Sequence, residues 1–420
     1  MTNSTARPRP AAPPTAPNYN RTIIACFNGY ITQAIINNFM PLLFVTFSAT
    51  LGIDMARLST LITANFVTQL VVDILAGRYV DRIGYKPCII AAHVAAATGL
   101  LMLGLAPTRL DDPYPALLAA IMMYAVGGGL IEVMVSPIVN ACPSDHKAEA
   151  MSLLHSFYCW GQVATVLVST LFFAVAGREA WPVMACLWAI VPLAGIVLFA
   201  ISPMPSILPE GTSSMALGQL ARNPLFIVFF IMMLCAGASE LGMSQWASTF
   251  AETGLDVSKT VGDLAGPAAF AVFMGLSRTV YGIFGHKLNL TWFIAASAVL
   301  GVTTYLIAAL SPSPVAGLAA CALTGFAVGI MWPGTFALAA DAIPAGGTLM
   351  FALFAVAGDL GCAAGPAIIG AVAAANGDNV QHGLMIGTLF PALLLAGVVA
   401  LRQLMRRRVP SPRKNDPNQG

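Results

Sequence analysis

Long apolar runs separated by short polar segments dominate the chain. A helix that crosses roughly 30 Å of hydrocarbon needs about 20 predominantly apolar residues. Runs of this kind predict helices over residues 22–48, 58–79, 87–106, 115–140, 151–175 and 181–201, and again over 223–250, 262–284, 290–309, 315–340, 348–375 and 382–405. The pattern therefore predicts an all-α membrane protein with twelve transmembrane helices in two six-helix pseudo-symmetric bundles.

The polar segments divide the chain into five parts. Residues 1–21 are polar and rich in proline, so we predict a disordered tail there and no cleavable signal peptide. Residues 22–201 form the first predicted bundle and residues 223–405 form the second. Proline, glycine and a Ser/Thr run fill the segment between them, 202–222, which predicts a linker. Residues 406–420 form a basic C-terminal tail.

Lysine and arginine predict the orientation in the membrane, because they concentrate in cytoplasmic segments. If both termini are cytoplasmic, the inside segments hold sixteen of these residues and the outside segments hold four. The tails and the linker are therefore expected to be cytoplasmic, in a multi-pass protein of the cell membrane.

Composition excludes several classes of function. Hydrophobic residues make up 58% of the chain and charged residues 9%, whereas a soluble protein carries roughly 25% charged residues. A net charge of +2 gives no reason to expect a nucleic-acid partner. The chain has no G-x-S-x-G, H-E-x-x-H or phosphate-cradling motif and no C-x-x-C pair. We expect no enzymatic activity, cofactor or metal site, and a gradient rather than a nucleotide as the source of energy.

One loop carries a recognisable motif. Between the second and third predicted helices stands Gly77-Arg-Tyr-Val-Asp81-Arg82-Ile-Gly84-Tyr85-Lys86. It resembles the G-x-x-x-D-R-x-G-R-[RK] loop of the major facilitator superfamily and departs only at Tyr85. The resemblance implies a gate latch formed by Gly77, Asp81, Arg82, Gly84 and Lys86. The alternative is an ordinary basic inside loop.

A narrower resemblance covers most of the chain. Leu130-Ile-Glu132-Val-Met-Val-Ser136-Pro137 is similar to the G-x-L-E-T-A-A-N-P stretch of the fucose–proton symporter family. Similar stretches are Met151 to Gly161, Gly237 to Glu240 with Trp246, Gly329 to Phe336, and Asn37-Asn38 with Pro41. Two positions depart: Asn37 stands where the family has an acid, and His155 stands where it has a glutamine. The resemblance implies proton-coupled symport, with a substrate and a stoichiometry that could differ.

Acidic residues inside predicted helices are candidates for coupling, because a carboxylate at the bilayer centre costs roughly 2.5–3.5 kcal/mol. Glu132 is the proton-coupling candidate; the alternative is a hydrogen-bonded structural carboxyl. Glu240 and Asp359 could line the cavity or pack between helices. Asp73 and Asp341 lie nearer the predicted cytoplasmic ends and are expected to be structural partners or caps.

Other polar and aromatic side chains at helical spacing predict the walls of a cavity. Amide groups suit neutral, hydroxyl-rich solutes because they both donate and accept, and tryptophan can stack on a sugar ring. The candidates are Tyr30, Gln33, Asn37, Asn38, His155, Gln162, Gln245, Trp246 and Trp332. Arg278 is expected to anchor a loop rather than to bind an anion.

The preferred hypothesis is a monomeric symporter that couples a small polar solute, such as a sugar, to protons. An exporter or exchanger of a metabolite or drug is the second hypothesis. A membrane enzyme or a non-transporting receptor is the third. Three observations would separate these hypotheses. Alkalinisation of the medium on solute uptake favours symport, and resistance to a toxic compound favours export. Turnover without a gradient favours an enzyme.

Overall fold

The computed structural model describes residues 18–53, 55–207, 215–250, 266, 268–377 and 379–408, and within these ranges the regular structure is helical, without strands. The first half contains α1 (Asn20–Asn38), α2 (Phe44–Leu51), α3 (Met55–Ile83), α4 (Tyr85–Leu105), α5 (Tyr114–Ala141), α6 (Lys147–Ala176), α7 (Trp181–Trp188) and α8 (Ile190–Ile201). The short α9 (Leu217–Ala221) follows in the linker. The second half contains α10 (Pro224–Thr249), α11 (Ala269–Phe284), α12 (Leu290–Leu310), α13 (Pro314–Gly329), α14 (Met331–Ala342), α15 (Gly347–Ala375), α16 (Val380–Gly387) and α17 (Leu389–Arg408).

Several predicted spans are built from two helices in series. A 3-10 helix, Met40–Leu43, joins α1 to α2 and contains Pro41. The pairs α7 and α8, α13 and α14, and α16 and α17 are each separated by a single residue. Among the described residues, nine helical stretches are long and apolar enough to cross a membrane. The other three predicted spans correspond to α1 with α2, to α3, and to α11, whose predicted start at 262–265 lies outside the described residues.

Large apolar side chains cover the outer surface of the helices. Leu171 is 68% exposed, Val175 82% and Val315 79%. A water-soluble monomer rarely exposes so much contiguous apolar surface. The surface is therefore suited to lipid, as the apolar runs predict.

Within each half, small residues let the helices approach closely. In the first half α5 packs against α1, α3 and α4, and a Cβ atom added at Gly127 would lie 2.5 Å from the carbonyl oxygen of Ala92. In the second half α10 packs against α15, and a Cβ at Gly361 would lie 1.9 Å from the carbonyl oxygen of Leu234. Packing of this kind holds membrane helices together where lipid removes the hydrophobic driving force.

Among the described residues, two helix pairs make the most extensive contacts between the halves. The helix α6 packs against α11, and α3 packs against α15. A Cβ added at Gly282 would lie 2.9 Å from that of Leu153, and one at Gly77 would lie 2.8 Å from that of Ala352. The polar centre of the molecule lies between these two contacts.

Candidate functional site

Glu132 lies on α5, half-buried, and points towards α1. The side-chain amide of Gln33, on α1, donates a hydrogen bond to its Oε2 atom. Gln33 is 3% exposed, and its own oxygen, Oε1, has no hydrogen-bond partner. The carboxyl group is therefore oriented by one amide and still reaches the space between the halves.

Two further acids lie beside Glu132. Asp73 on α3, Glu132 on α5 and Asp359 on α15 each offer a carboxylate oxygen, and these oxygens lie within 4.8 Å of one another. Asp73 is fully buried, and neither of its oxygens has a hydrogen-bond partner. We call these three residues the acid cluster. Two of its members come from the first half and one comes from the second.

Of the two roles expected for Asp73, structural partner or cap, its position inside α3 rules out the cap. A polar stripe on α3 explains the position, because Asn65, Gln69 and Asp73 are spaced four residues apart and share one face. That face packs on α5, where a Cβ at Gly129 would lie 2.9 Å from the carboxylate of Asp73. The four-residue spacing of these polar side chains is present in the sequence, and it is the signal that predicts a buried polar face on this helix.

The same stripe bonds to α1. The side-chain oxygen of Asn37 accepts hydrogen bonds from Asn65 at 3.2 Å and from Gln69 at 2.8 Å. Asn37 therefore joins α1 to α3 through neutral amides at the position where the resemblance implies an acid. Its neighbour Asn38 donates to the carbonyl of Ala34 in its own helix.

Tyr30, Ser136 and His155 form a compact triangle between α1, α5 and α6. The Tyr30 hydroxyl lies 3.1 Å from the Ser136 hydroxyl and 3.2 Å from Nε2 of His155. The Ser136 hydroxyl lies 3.3 Å from the same nitrogen. The imidazole also stacks on Phe336 of α14, with ring centroids 5.8 Å apart. The triangle thus places three groups that can exchange hydrogen bonds next to an aromatic ring of the second half.

Arg278 does not anchor a loop. Its guanidinium is buried and forms an ion pair with Glu240 of α10, 3.0 Å away. It also donates to the carbonyl oxygens of Gly329, at 2.9 Å, and of His155, at 3.3 Å. A buried charge must be paired to persist, and α11 turns Arg278 towards α6 and α10 rather than towards solvent. The ion pair therefore joins two helices of the second half, and the bond to His155 extends it to the first.

The remaining cavity candidates are more scattered. Trp332 lies against α15, where a Cβ at Gly358 would lie 2.1 Å from its ring. The Trp246 indole donates to the carbonyl of Pro366 at 3.0 Å, so it is held against the proline inside α15. Gln245 is exposed, and Gln162 is half-buried.

The loop between α3 and α4 contacts the second half. The hydroxyl of Thr348, at the start of α15, donates to Asp81 and is hydrogen-bonded to the hydroxyl of Tyr85. Gly84 has φ of +103°, which favours glycine. We call this end of the molecule, where α3 ends and α4 begins, the latch end.

Two further latch candidates differ from Asp81 in their contacts. Lys86 donates to the carbonyl of Ser202, the residue that follows α8, at 3.0 Å, and Arg82 is exposed. Tyr85, the position that departs from the motif, shares the threonine with Asp81. The substitution therefore adds a partner to the contact between the halves.

A polar centre between two bundles of lipid-facing helices defines a multi-pass transporter. The sequence matches the Major Facilitator Superfamily over residues 22–366, and the chain belongs to that family. This match confirms the predicted fold class and the first resemblance. It identifies the chain as a transporter of that family.

Similar proteins extend the comparison. Membrane protein MosC of Rhizobium meliloti is 24% identical over 325 residues, which cover 77% of this chain and 76% of MosC. The fold is similar to that of FucP, the fucose:proton symporter of E. coli, with a TM-score of 0.78 at 17% identity over 91% of this chain and 99% of FucP. A structure of FucP in the outward conformation has a TM-score of 0.79 to this chain, at the same identity and coverage. The structure of the human organic anion transporter TETRAN has a TM-score of 0.68 to this chain, at 16% identity over 92% of this chain and all of TETRAN.

Proposed function

We propose that the chain is a proton-coupled symporter for a small polar solute, such as a sugar, which it moves by alternating access. The observation that carries the proposal is the position of Glu132, half-buried between the halves and oriented by Gln33. Its helix carries the stretch that resembles the fucose–proton symporter family, and the similar fold of a fucose:proton symporter supports the same proposal.

The polar groups around Glu132 suit a neutral hydroxylated solute. Tyr30, Ser136 and His155 can each donate or accept, as the hydroxyl groups of a sugar require. The half-buried Trp332 lies 6.4 Å from Phe336 between ring centroids, and its indole is of the type that stacks on a sugar ring. The charge of Arg278 is already opposed by Glu240. The site therefore favours a neutral solute over an anion.

Solute transport is coupled to proton transport if Glu132 must carry a proton during one half of the cycle. The hydrogen bonds between Asp81, Thr348 and Tyr85 link the halves at the latch end. They must break when that end opens, so solute and proton are released on the side where the latch has separated. A carboxylate that binds and releases a proton at each cycle would tie net solute transport to the proton gradient.

The proposal is tested by pH-driven uptake in proteoliposomes at matched protein density. Glu132→Gln fixes a neutral side chain of nearly the same size and keeps most of its hydrogen bonding. We expect this variant to exchange solute across the membrane but to lose accumulation against a gradient, and to move no protons when solute is added. Glu179→Gln, at an exposed position outside the helices of the site, is the matched control and should accumulate solute normally.

Three results would contradict the proposal. The Glu132→Gln variant could concentrate solute as well as the parent does. The parent could move solute outwards when protons enter, which would identify an exporter or exchanger. Transport in the parent could also be independent of the pH gradient.

A further inference from the structure

The acid cluster places like charges on both sides of the boundary between the halves. Asp73 and Glu132 belong to α3 and α5, and Asp359 belongs to α15, with carboxylate oxygens within 4.8 Å of one another. Two carboxylates that share a site at short range cannot both ionise without a large cost. In the arrangement described, the cluster therefore needs bound protons to offset this repulsion.

The unpartnered acceptors around the cluster point to the same ligand. Gln33 is 3% exposed, and its amide is held against Glu132, yet its Oε1 atom has no donor. Both oxygens of the fully buried Asp73 also lack a donor. A buried acceptor without a donor costs free energy. Protons on the carboxyl groups would supply the O–H donors that these acceptors lack.

The surrounding elements supply no cation for the cluster. Among the described residues, no lysine, arginine or histidine side chain forms an ion pair with Asp73, Glu132 or Asp359. The titratable and charged groups near the middle of the packed helices include Tyr30 on α1, His93 on α4, His155, Tyr158 and Cys159 on α6, Glu240 on α10, Arg278 on α11 and Cys362 on α15. Arg278 is bound to Glu240 at 3.0 Å. Arg78 and Arg82 on α3 are exposed, and Lys86 on α4 donates to the carbonyl of Ser202.

We infer that Asp73, Glu132 and Asp359 form a single proton-binding site divided between the two halves, and that its protons keep α15 against α3 and α5. When the protons leave, like charges face each other across the boundary and push the halves apart at this level. The inference rests on the proposed function for Glu132 and deepens it, because it adds Asp73 and Asp359 as proton carriers. It also makes the position of the halves depend on protonation without any solute.

The test is a distance measurement by pulsed electron paramagnetic resonance in nanodiscs, without solute and without a gradient. Spin labels at Asp145→Cys and Lys287→Cys occupy exposed positions next to His146 and His286, whose rings lie 5.8 Å apart across the boundary at the latch end. The eight native cysteines are buried or half-buried, so the introduced thiols are the accessible ones. We expect a short distance at pH 5 and a second, longer distance at pH 8.5.

The double variant Asp73→Asn/Asp359→Asn should keep the short distance at both pH values, because the amides cannot ionise. Asp341→Asn, an exposed acid on α14, is the matched control and should respond to pH as the parent does. The inference is overturned if the parent gives one distance distribution at both pH values, or if the double variant responds to pH like the parent.

The distance measured in the parent at the two pH values tests the inference even if the double variant fails to fold. This measurement does not depend on solute uptake. A parent that responds to pH but does not accumulate solute would keep the inference and reject proton-coupled symport.

Discussion

Two regions of the molecule, the ion pair of Arg278 and Glu240 and the acid cluster, bury their charges in opposite ways. In the second half, Arg278 and Glu240 form an ion pair at 3.0 Å, and backbone carbonyls accept two of the remaining guanidinium protons. At the boundary with the first half, three carboxyl groups converge, and Asp73 has no hydrogen-bond partner on either oxygen. A paired charge is stabilised by its partner, whereas a group of like charges is stabilised by binding protons. The ion pair is therefore a fixed element of the structure, whereas the acid cluster is a candidate for proton coupling.

Breaking the ion pair should give the largest effect. Arg278→Leu leaves the Glu240 side chain, which is 15% exposed, without its partner. Removal of one member of a buried pair costs roughly 3–5 kcal/mol. We expect a large fall in the temperature of unfolding in detergent and poor expression. The double variant Arg278→Leu/Glu240→Leu should recover much of the loss, since no charge is then left unpaired. A single variant as stable as the parent would show that the pair contributes little to the fold.

Removing one charge from the acid cluster should have a smaller effect of the opposite sign. Two like charges within 4.8 Å of each other repel by about 3.5 kcal/mol or more at an effective dielectric constant of 20, before relaxation. We expect Asp359→Asn to raise the temperature of unfolding at pH 8.5 and to change it little at pH 5, where the parent cluster carries protons. Equal shifts at both pH values, or destabilisation at pH 8.5, would contradict the charge argument. Asp341→Asn serves as the exposed control.

The latch tests whether a contact between the halves limits the cycle. Thr348→Val keeps the shape of the side chain and removes the hydroxyl that joins Asp81 and Tyr85. A hydrogen bond to a charged group contributes about 1.5–3 kcal/mol, so we expect initial rates of solute uptake to fall by roughly tenfold or more at normal expression. Thr303→Val, whose hydroxyl bonds only within α12, is the control. Unchanged rates at all solute concentrations would favour an ordinary basic loop.

The smallest effect is expected at the triangle of Tyr30, Ser136 and His155. Tyr30→Phe removes one hydroxyl that we propose to face solute, and a neutral hydrogen bond contributes about 0.5–1.5 kcal/mol. The KM for solute should therefore rise by roughly two- to tenfold while coupling to protons persists. Tyr124→Phe, at a buried tyrosine of α5 that packs near Gly99 of α4, should leave KM unchanged. An uncoupled Tyr30→Phe variant would place the tyrosine in the proton path instead.

Hydrophobic patterning alone predicted the class of fold. Twelve apolar runs with a polar break after the sixth are sufficient for a two-bundle membrane protein, because the bilayer fixes the length and the composition of each span. The motif from Gly77 to Lys86 indicated the family, because it lies between the second and third predicted helices and resembles the loop of the major facilitator superfamily. The acids within the runs were also visible, because charge inside an apolar segment is rare.

The tertiary structure decided which of these polar residues meet. Asp73 and Arg278 lie near the ends of their apolar runs, which suggested a structural partner or cap for Asp73 and a loop anchor for Arg278. Packing instead turns Asp73 onto α5 and Arg278 onto α10, where each is buried. Nothing in the local sequence of α15 shows that Asp359 lies beside acids more than 200 positions earlier in the chain. Contacts between the halves depend on how two bundles dock, and docking is determined by the whole packed surface rather than by the pattern along any one helix.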